Sequence, residues 1–207
     1  MPRGRWTGCG APSAWTRCWP GCWPATGMRR GEALALRWRD VDLDAGRLAV
    51  RRSIGVGKTK GAGERLVEGP TKTGRSRVVD LDAGTVAAHR AYRAARGLLG
   101  LDLVRDSALV LSNVDGTHRH PERFSRRFSG QVVRARTALG EERLPVIRLH
   151  DLRHTHATLL LADGMPVKVV SERLGHASAT IALTVHQHVH PGMGREAADR
   201  FAALLEG

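Results

Sequence analysis

A mainly α-helical domain with one small antiparallel β-sheet (α+β) is what the sequence predicts, and three observations carry that expectation. Long segments, among them 82–100, 120–139 and 148–164, set apolar residues at helical spacing. Two others, 46–53 and 64–81, have the alternation of a strand and the turn residues of a hairpin. Finally, 42% of the 207 residues are apolar, enough for the core of one domain.

The elements follow in chain order. Residues 1–25 stand apart. The opening stretch to residue 26 holds Trp6, Trp15, Trp19 and Trp23, all three cysteines (Cys9, Cys18, Cys22) and no acid. It has neither helical nor strand period, and Pro20 and Pro24 interrupt any helix. Trp, Cys, Arg, Gly and Pro together are what G+C-rich DNA encodes out of frame, so this tail is expected to be out-of-frame or disordered sequence. The ordered domain is expected over 26–207. "TGMRRGEALALRW" (26–38) reads as a buried helix, with Met28, Ala33, Leu34, Leu36 and Trp38 inward and its end near Asp40. "GVGKTKGAG" (55–63) reads as a glycine-rich loop, and 64–81 as a hairpin turning at "GPTKTG". The helix at 82–100 is expected to bury Ala87, Ala91, Ala94 and Leu98. "SALVLSN" (107–113) reads as a short buried strand. Pro121 suits the first turn of the basic helix at 120–139, and Gly164 closes the next. Segments 165–176, 178–189 and 192–207 give three more helices.

Charge narrows the function. Lys and Arg number 33 against 20 Asp and Glu, a net +13. A domain this basic most often meets a polyanion, with nucleic acid the first candidate and a merely solubilising surface the alternative. No apolar run approaches the ~20 residues of a membrane span, and no apolar stretch suits a secretory signal. A soluble, cytoplasmic protein is expected, in keeping with cysteines confined to one end.

"HDLRHTHAT" (150–158) is the most informative segment. His150 and Arg153 are three apart and share a helix face, so they can offer an imidazole and a guanidinium fork to one phosphate. His150 and His154 also have the spacing of a zinc-protease pair. Asp151 is one methylene shorter than the glutamate that motif demands, and no third ligand is evident. Taken with "TGMRRGEALALRW" (26–38), "TKTGRSRVVDL" (71–81) and "LGHAS" (174–178), in that order, the segment strongly resembles the catalytic domain of the tyrosine recombinases, the phage-integrase family. The resemblance covers about residues 26–207.

That resemblance implies the catalytic-domain fold of the family and a set of residues around a scissile DNA phosphate. Arg29 matches the first arginine, with Arg30 the adjacent competitor, and Glu32 would hold Arg29 in place. Lys72 matches the hairpin lysine, with Lys58 and Lys60 as alternatives. His150 and Arg153 match the HxxR box, and His176 the second histidine. Arg30, Lys58, Lys60, Arg75 and Arg77 are expected to contact DNA. The residue types suit phosphodiester transesterification. Arg29 and Arg153 would clamp the non-bridging oxygens, Lys72 would protonate the departing 5′ oxygen, His150 would serve as acid/base and His176 would hydrogen-bond the phosphate. Neither metal nor other cofactor is expected, because the arginines supply the positive charge.

The family attacks DNA with a tyrosine in a segment shaped T-x-x-Y-x-H-x-x-P. The matching stretch is "TVHQHVHP" (184–191), with His186 in the tyrosine position, His188 two residues later and Pro191 following. Tyr92, the single tyrosine, reads as the margin of a packed helix face. Three readings of His186 stand: a copy defective in strand exchange, a histidine nucleophile, or a metal ligand with His190. The resemblance also implies an N-terminal core-binding domain of roughly a hundred residues, which the 26-residue opening stretch does not supply. Double-stranded DNA is the expected partner, with a homo-oligomer or mixed oligomer on it. The alternative to a recombinase is a non-catalytic DNA-binding module. The helix at 194–206 would pack on a neighbouring protomer or in cis.

Overall fold

The computed structural model describes residues 25–59 and 63–175. Among them are five α-helices and five strands: α1 (Arg30–Leu34), β1 (Val41–Asp42), β2 (Arg47–Val50), β3 (Arg52–Thr59), β4 (Gly63–Pro70), β5 (Arg77–Asp80), α2 (Ala83–Gly97), α3 (Pro121–Leu139), α4 (Leu149–Ala162) and α5 (Val167–Leu174). The mainly helical α+β class holds. No helix among the described residues is long and apolar enough to cross a membrane.

The first helix is shorter than its apolar spacing predicts. Met28, Ala33, Leu34, Leu36 and Trp38 are all buried as expected, but α1 stops at Leu34 and a separate 3-10 turn spans Trp38–Asp40. The backbone between them bonds elsewhere. Trp38 N–H donates to Ala108 O (3.0 Å), Arg39 N–H to Asp106 O (2.9 Å) and Val110 N–H to Leu36 O (2.8 Å). Those bonds to the 106–110 segment replace the next helical turn. They also explain "SALVLSN". Leu109, Val110 and Leu111 are buried, yet the segment forms only the isolated bridges Arg37–Leu109 and Ser112–His118.

The strands correct the predicted hairpin. Residues 55–59, expected in a loop, belong to β3, which pairs with β4 through eight positions from Arg52–Pro70 to Thr59–Gly63. The link between these two strands, 60–62, lies outside the described residues, and "GPTKTG" does not join a pair of strands that ladder to each other. Gly55 and Gly57 weaken the strand pattern of this segment without forbidding the strand. The other sheet runs β1-β2-β5, with Val50 opposite Arg77. Only Arg51 separates β2 from β3, whereas residues 71–76 separate β4 from β5. "TKTGRS" therefore bulges out opposite Arg51. A turn from Thr71 to Gly74 N–H (2.8 Å) closes it, and Gly74 takes φ +70°.

Helix α2 buries a different face from the one predicted. Thr85, His89, Tyr92 and Arg96 point inward, while Ala87, Ala91 and Ala94 are exposed and Leu98 is 91% exposed. Long polar side chains fill this side. Arg96 reaches Asn113 O (3.0 Å), and His89 Nδ1 lies 2.9 Å from Thr85 O. Tyr92 is a core residue, its ring 6.3 Å from that of Trp38. The main core gathers α1, β2, β3, β5, Val110 and Leu111, and Phe124, Phe128 and Val132 of α3. Pro121 stands in the first turn of α3 as predicted. Ala157, Val170 and Leu174 form a second cluster between α4 and α5. Gly164 (φ +84°) ends α4 with two back-bonds, Gly164 N–H to Leu161 O and Met165 N–H to Leu160 O. The helices expected at 178–189 and 192–207, like the tail at 1–24, lie outside the described residues.

Candidate active site

The start of α1, the start of α4, the "TKTGRS" bulge and strand β3 meet at one cleft of about 440 Å³. Arg29, Lys72, His150 and Arg153 all line it, together with Arg30, Ser53 and Ser125. Four of the six expected catalytic positions therefore converge from three separate stretches of chain. The other two, His176 and His186, lie outside the described residues. So does Lys60, while Lys58 lies in β3 with its side chain undescribed.

Close packing brings α1 to β3. A Cβ on Gly31 would stand 2.5 Å from Ile54 O and from Ser53 Oγ, so only glycine allows this approach. Just upstream, Gly27 has φ +60°, and a Cβ there would meet Leu174 Cδ2 at 2.5 Å. These two glycines bracket Arg29, which sits in extended backbone at the α1 N-cap.

Glu32 holds Arg29, as the sequence predicts. Its carboxylate accepts from Arg29 Nη1 (2.9 Å) and from the Arg29 backbone N–H (2.8 Å). The sequence did not reveal its second partner. Arg77 Nη1 and Nη2 reach the same carboxylate at 3.1 and 2.7 Å. Burial alone would raise the Glu32 carboxyl, but Arg77 and Arg29 outweigh it and hold the group below the usual carboxylate range. Arg77, expected to contact DNA, is turned inward with its side chain 10% exposed.

The end of α5 completes the arrangement. Three consecutive carbonyls accept from three arginines. Arg77 Nε donates to Arg173 O (2.9 Å), Arg153 Nη2 to Leu174 O (2.6 Å) and Arg29 Nη2 to Gly175 O (3.0 Å). Cations at a helix C-terminus satisfy its orphan carbonyls and complement its dipole. Gly175 (φ +67°) terminates the helix, and a Cβ there would lie 2.8 Å from Arg77 Nη1. Arg153 also donates to Gly27 O through Nη1, so it ties α5 to the α1 entry. Burial, and then the Arg29 charge, push Arg153 down to about 9, and it remains protonated at neutral pH. Arg173 extends the lattice to Ala25 O (2.8 Å), Asp80 O (3.1 Å) and His156 Nε2 (3.1 Å).

The remaining cations face outward. Lys72 and Arg75 are exposed on the bulge, where Thr71 Oγ1 donates to Arg75 O (2.6 Å). Arg30 pairs with Ser125 Oγ (2.7 Å) and Glu122 (2.9 Å) of α3. His150 is exposed, with its ring edge-on to His154 at 4.6 Å. Partial burial, then His154 and Arg153, hold its imidazole below the ordinary histidine value. Asp151 turns back to Arg148, accepting from its backbone N–H (2.8 Å) and Nη2 (3.1 Å). It caps α4, which accounts for the acid between the two histidines without a zinc site. A larger groove of about 790 Å³ beside Trp38, Arg90 and Arg93 holds none of the expected residues.

Comparison with known proteins gives consistent results. The chain is 30% identical over 182 residues to the ICEBs1 integrase of Bacillus subtilis, covering 87% of this chain and 46% of that protein. It is 35% identical over 170 residues to the tyrosine recombinase XerD of Mycobacterium tuberculosis, covering 78% and 46%. It thus spans less than half the length of these relatives. Among solved structures, the Tn1549 transposon integrase in complex with circular intermediate DNA matches with a TM-score of 0.71 at 21% identity, over 91% of this chain and 61% of that one. The XerH recombinase bound to a palindromic difH substrate matches at 0.58 with 26% identity, over 93% and 48%. The model of the phage integrase family matches residues 10–192, and by that match and these relatives the chain belongs to the phage integrase family of tyrosine recombinases.

Proposed function

We propose that the described domain binds a DNA phosphodiester in the cleft lined by Arg29, Lys72, His150 and Arg153, as the catalytic half of a site-specific recombinase. The convergence of those four side chains carries the reading. Arg29, Arg77 and Arg153 face a single buried carboxylate, Glu32, leaving a surplus of two positive charges. An entering phosphate would neutralise it, and the same charge would favour the pentacoordinate transition state. Arg29 and Arg153 would hold the non-bridging oxygens, with their outer N–H groups oriented by the carbonyls behind them. Lys72, on an exposed turn, would give its proton to the departing 5′ oxygen. His150, held neutral at pH 7, would exchange a proton with the attacking group. His176 would add a hydrogen bond to the phosphate. Arg30 and Arg75, with Lys58 and Lys60 on the neighbouring hairpin, would contact flanking phosphates. The partner is double-stranded DNA, with assembly into a homo-oligomer or mixed oligomer upon it, in the cytoplasm and at the nucleoid.

One residue favours a second reading, a DNA-binding module without strand exchange. His186 stands where the family's attacking tyrosine is expected, and Tyr92 is buried beside Trp38 and cannot replace it. An imidazole is shorter than a phenol, and ångström-scale misplacement costs about a hundredfold in rate. The test is a nicked suicide DNA substrate offered to the natural chain and to His186→Tyr. A covalent adduct only with His186→Tyr supports a phosphate site lacking its nucleophile. An adduct with both supports histidine attack. Bound but uncleaved DNA with both supports the binding module, and no binding by either overturns both readings.

A further inference from the structure

We propose that Arg77 is a positioning residue for the phosphate site, acting through Glu32 and the end of α5 to aim Arg29, without touching DNA itself. The inference rests on the reading of the cleft given above.

The Glu32 carboxylate accepts four hydrogen bonds, two from the Arg77 fork, one from Arg29 Nη1 and one from the Arg29 backbone N–H. That is about the capacity of a carboxylate. The Arg77 fork engages both oxygens, so it fixes the carboxylate plane and with it the position of Arg29 Nη1. Arg29 Nη2 is fixed at its other end by Gly175 O. Arg77 governs that end too, because its Nε donates to Arg173 O two residues earlier in the same helix terminus. Arg29 is thus stretched between two anchors, each of which Arg77 also holds.

The supports differ in rigidity as a positioning role requires. Arg77 opens β5, laddered to β2 from Arg77–Val50 to Asp80–Arg47. Arg29 lies in the connection before a five-residue helix. Arg29 lines the cleft with its side chain 24% exposed, whereas Arg77 is absent from the lining and 10% exposed. Without the Arg77 fork, the carboxylate can rotate to take both Nη groups of Arg29. Arg29 would then be drawn away from Gly175 and from the phosphate.

The test follows the Nε–H resonance of Arg29 in the full chain, assigned by its loss in Arg29→Lys. Arg77→Gln is expected to shift that resonance before any DNA is added and to abolish its response to a duplex oligonucleotide. In an Arg29→Gln background, where the Arg29 contact is already gone, adding Arg77→Gln should leave the salt dependence of DNA binding unchanged. Arg77→Lys retains the charge but cannot hold the carboxylate and Arg173 O together. Its Arg29 resonance should shift less and still respond to DNA. A further shallowing by about 0.9 when Arg77→Gln is added to Arg29→Gln would make Arg77 a direct phosphate contact and overturn the proposal. An unmoved Arg29 resonance in folded Arg77→Gln would overturn it as well. If Arg77→Gln fails to fold by circular dichroism, Arg77→Lys decides by the same resonance, and an unmoved signal there overturns it. Failure of the natural chain to bind DNA would reject the reading of the cleft, while the DNA-free resonance still decides the role of Arg77.

Discussion

Arg29 and Gly175, 146 residues apart in sequence, are joined by a 3.0 Å bond from Nη2 to the backbone carbonyl. The glycine is there for two separable reasons. Its φ of +67° costs an L-residue about 1–2 kcal/mol, and a Cβ would press on Arg77. Gly175→Ala should therefore lower unfolding stability by at least that amount in urea titrations. Gly175→Asn tolerates the left-handed backbone better but still carries a Cβ. It should lose less than alanine yet remain below wild type. Wild-type stability in Gly175→Asn would mean that the contact with Arg77 carries no strain.

Glu32 is the only carboxylate between Arg29 and Arg77 among the described residues, and it is 1% exposed. Glu32→Gln keeps the shape and removes the charge, leaving two cations without their counter-ion. Breaking a buried pair in this way costs about 3–5 kcal/mol. The loss should be complete at neutral pH. Because the folded-state value lies below the ordinary 4.5, the unfolded chain takes up this proton first as the pH falls. The advantage of wild type over Glu32→Gln should therefore persist down to about pH 4.5. It should disappear as the pH drops through the lower folded-state value. Unfolding curves for both proteins across that range test this, and a gap that narrows above pH 5 would contradict it.

His150 and His154 face each other edge to face at 4.6 Å, and after burial the neighbouring histidine is the next cause of the lowered His150 value. His154→Ala should move the His150 titration upward, toward but not up to the ordinary 6.5, because burial and Arg153 remain. Proton–carbon NMR of the ring follows it directly. Lowering the pH charges His150 and should strengthen DNA binding across its titration. The same gain should begin at higher pH in His154→Ala. An unchanged His150 titration would mean that the pair does not interact.

The sequence made most of the described cation set legible, because each member sits in a short motif whose residue types are bound to phosphate chemistry. Arg29, His150 and Arg153 could be named once "TGMRRGE" and "HDLRH" were taken with the two other motifs in order, with Arg30 left as the neighbour of Arg29. Arg77 could not be read correctly. A basic residue beside a motif looks the same whether it faces DNA or a buried acid, and only the β2–β5 register turns it toward Glu32. The wrong stripe on α2 has a similar origin. Alanines at helical spacing suggest an inner face, but the space there takes the longer His89, Tyr92 and Arg96 instead. The glycine signal at 55–63 displaced the hairpin turn, because tertiary pairing with β4 overrides local preference. Lys72 nonetheless lies on a connection between two strands, as expected, and that connection reaches the cleft.

Lys72 and Arg153 line the same cleft but should answer mutation differently, because one is exposed and the other buried. Lys72 is exposed on the bulge and makes no ion pair or hydrogen bond among the described residues. Lys72→Ala should change unfolding stability by less than about 0.5 kcal/mol. Its effect should appear in function, as slower cleavage wherever His186→Tyr restores cleavage, and as a salt slope shallower by about 0.9 if the ammonium meets a phosphate. Arg153 is 4% exposed and serves the carbonyls of Gly27 and Leu174. Arg153→Ala leaves both carbonyls buried without this donor, at about 1–3 kcal/mol each. It should lose stability and DNA binding together. Arg153→Lys can reach one carbonyl and should fall between. Urea unfolding and DNA titration on the three variants measure both quantities. A stable Arg153→Ala would show that the α1 entry and the end of α5 are held by other contacts, and a destabilised Lys72→Ala would place that lysine in the fold instead of at the phosphate.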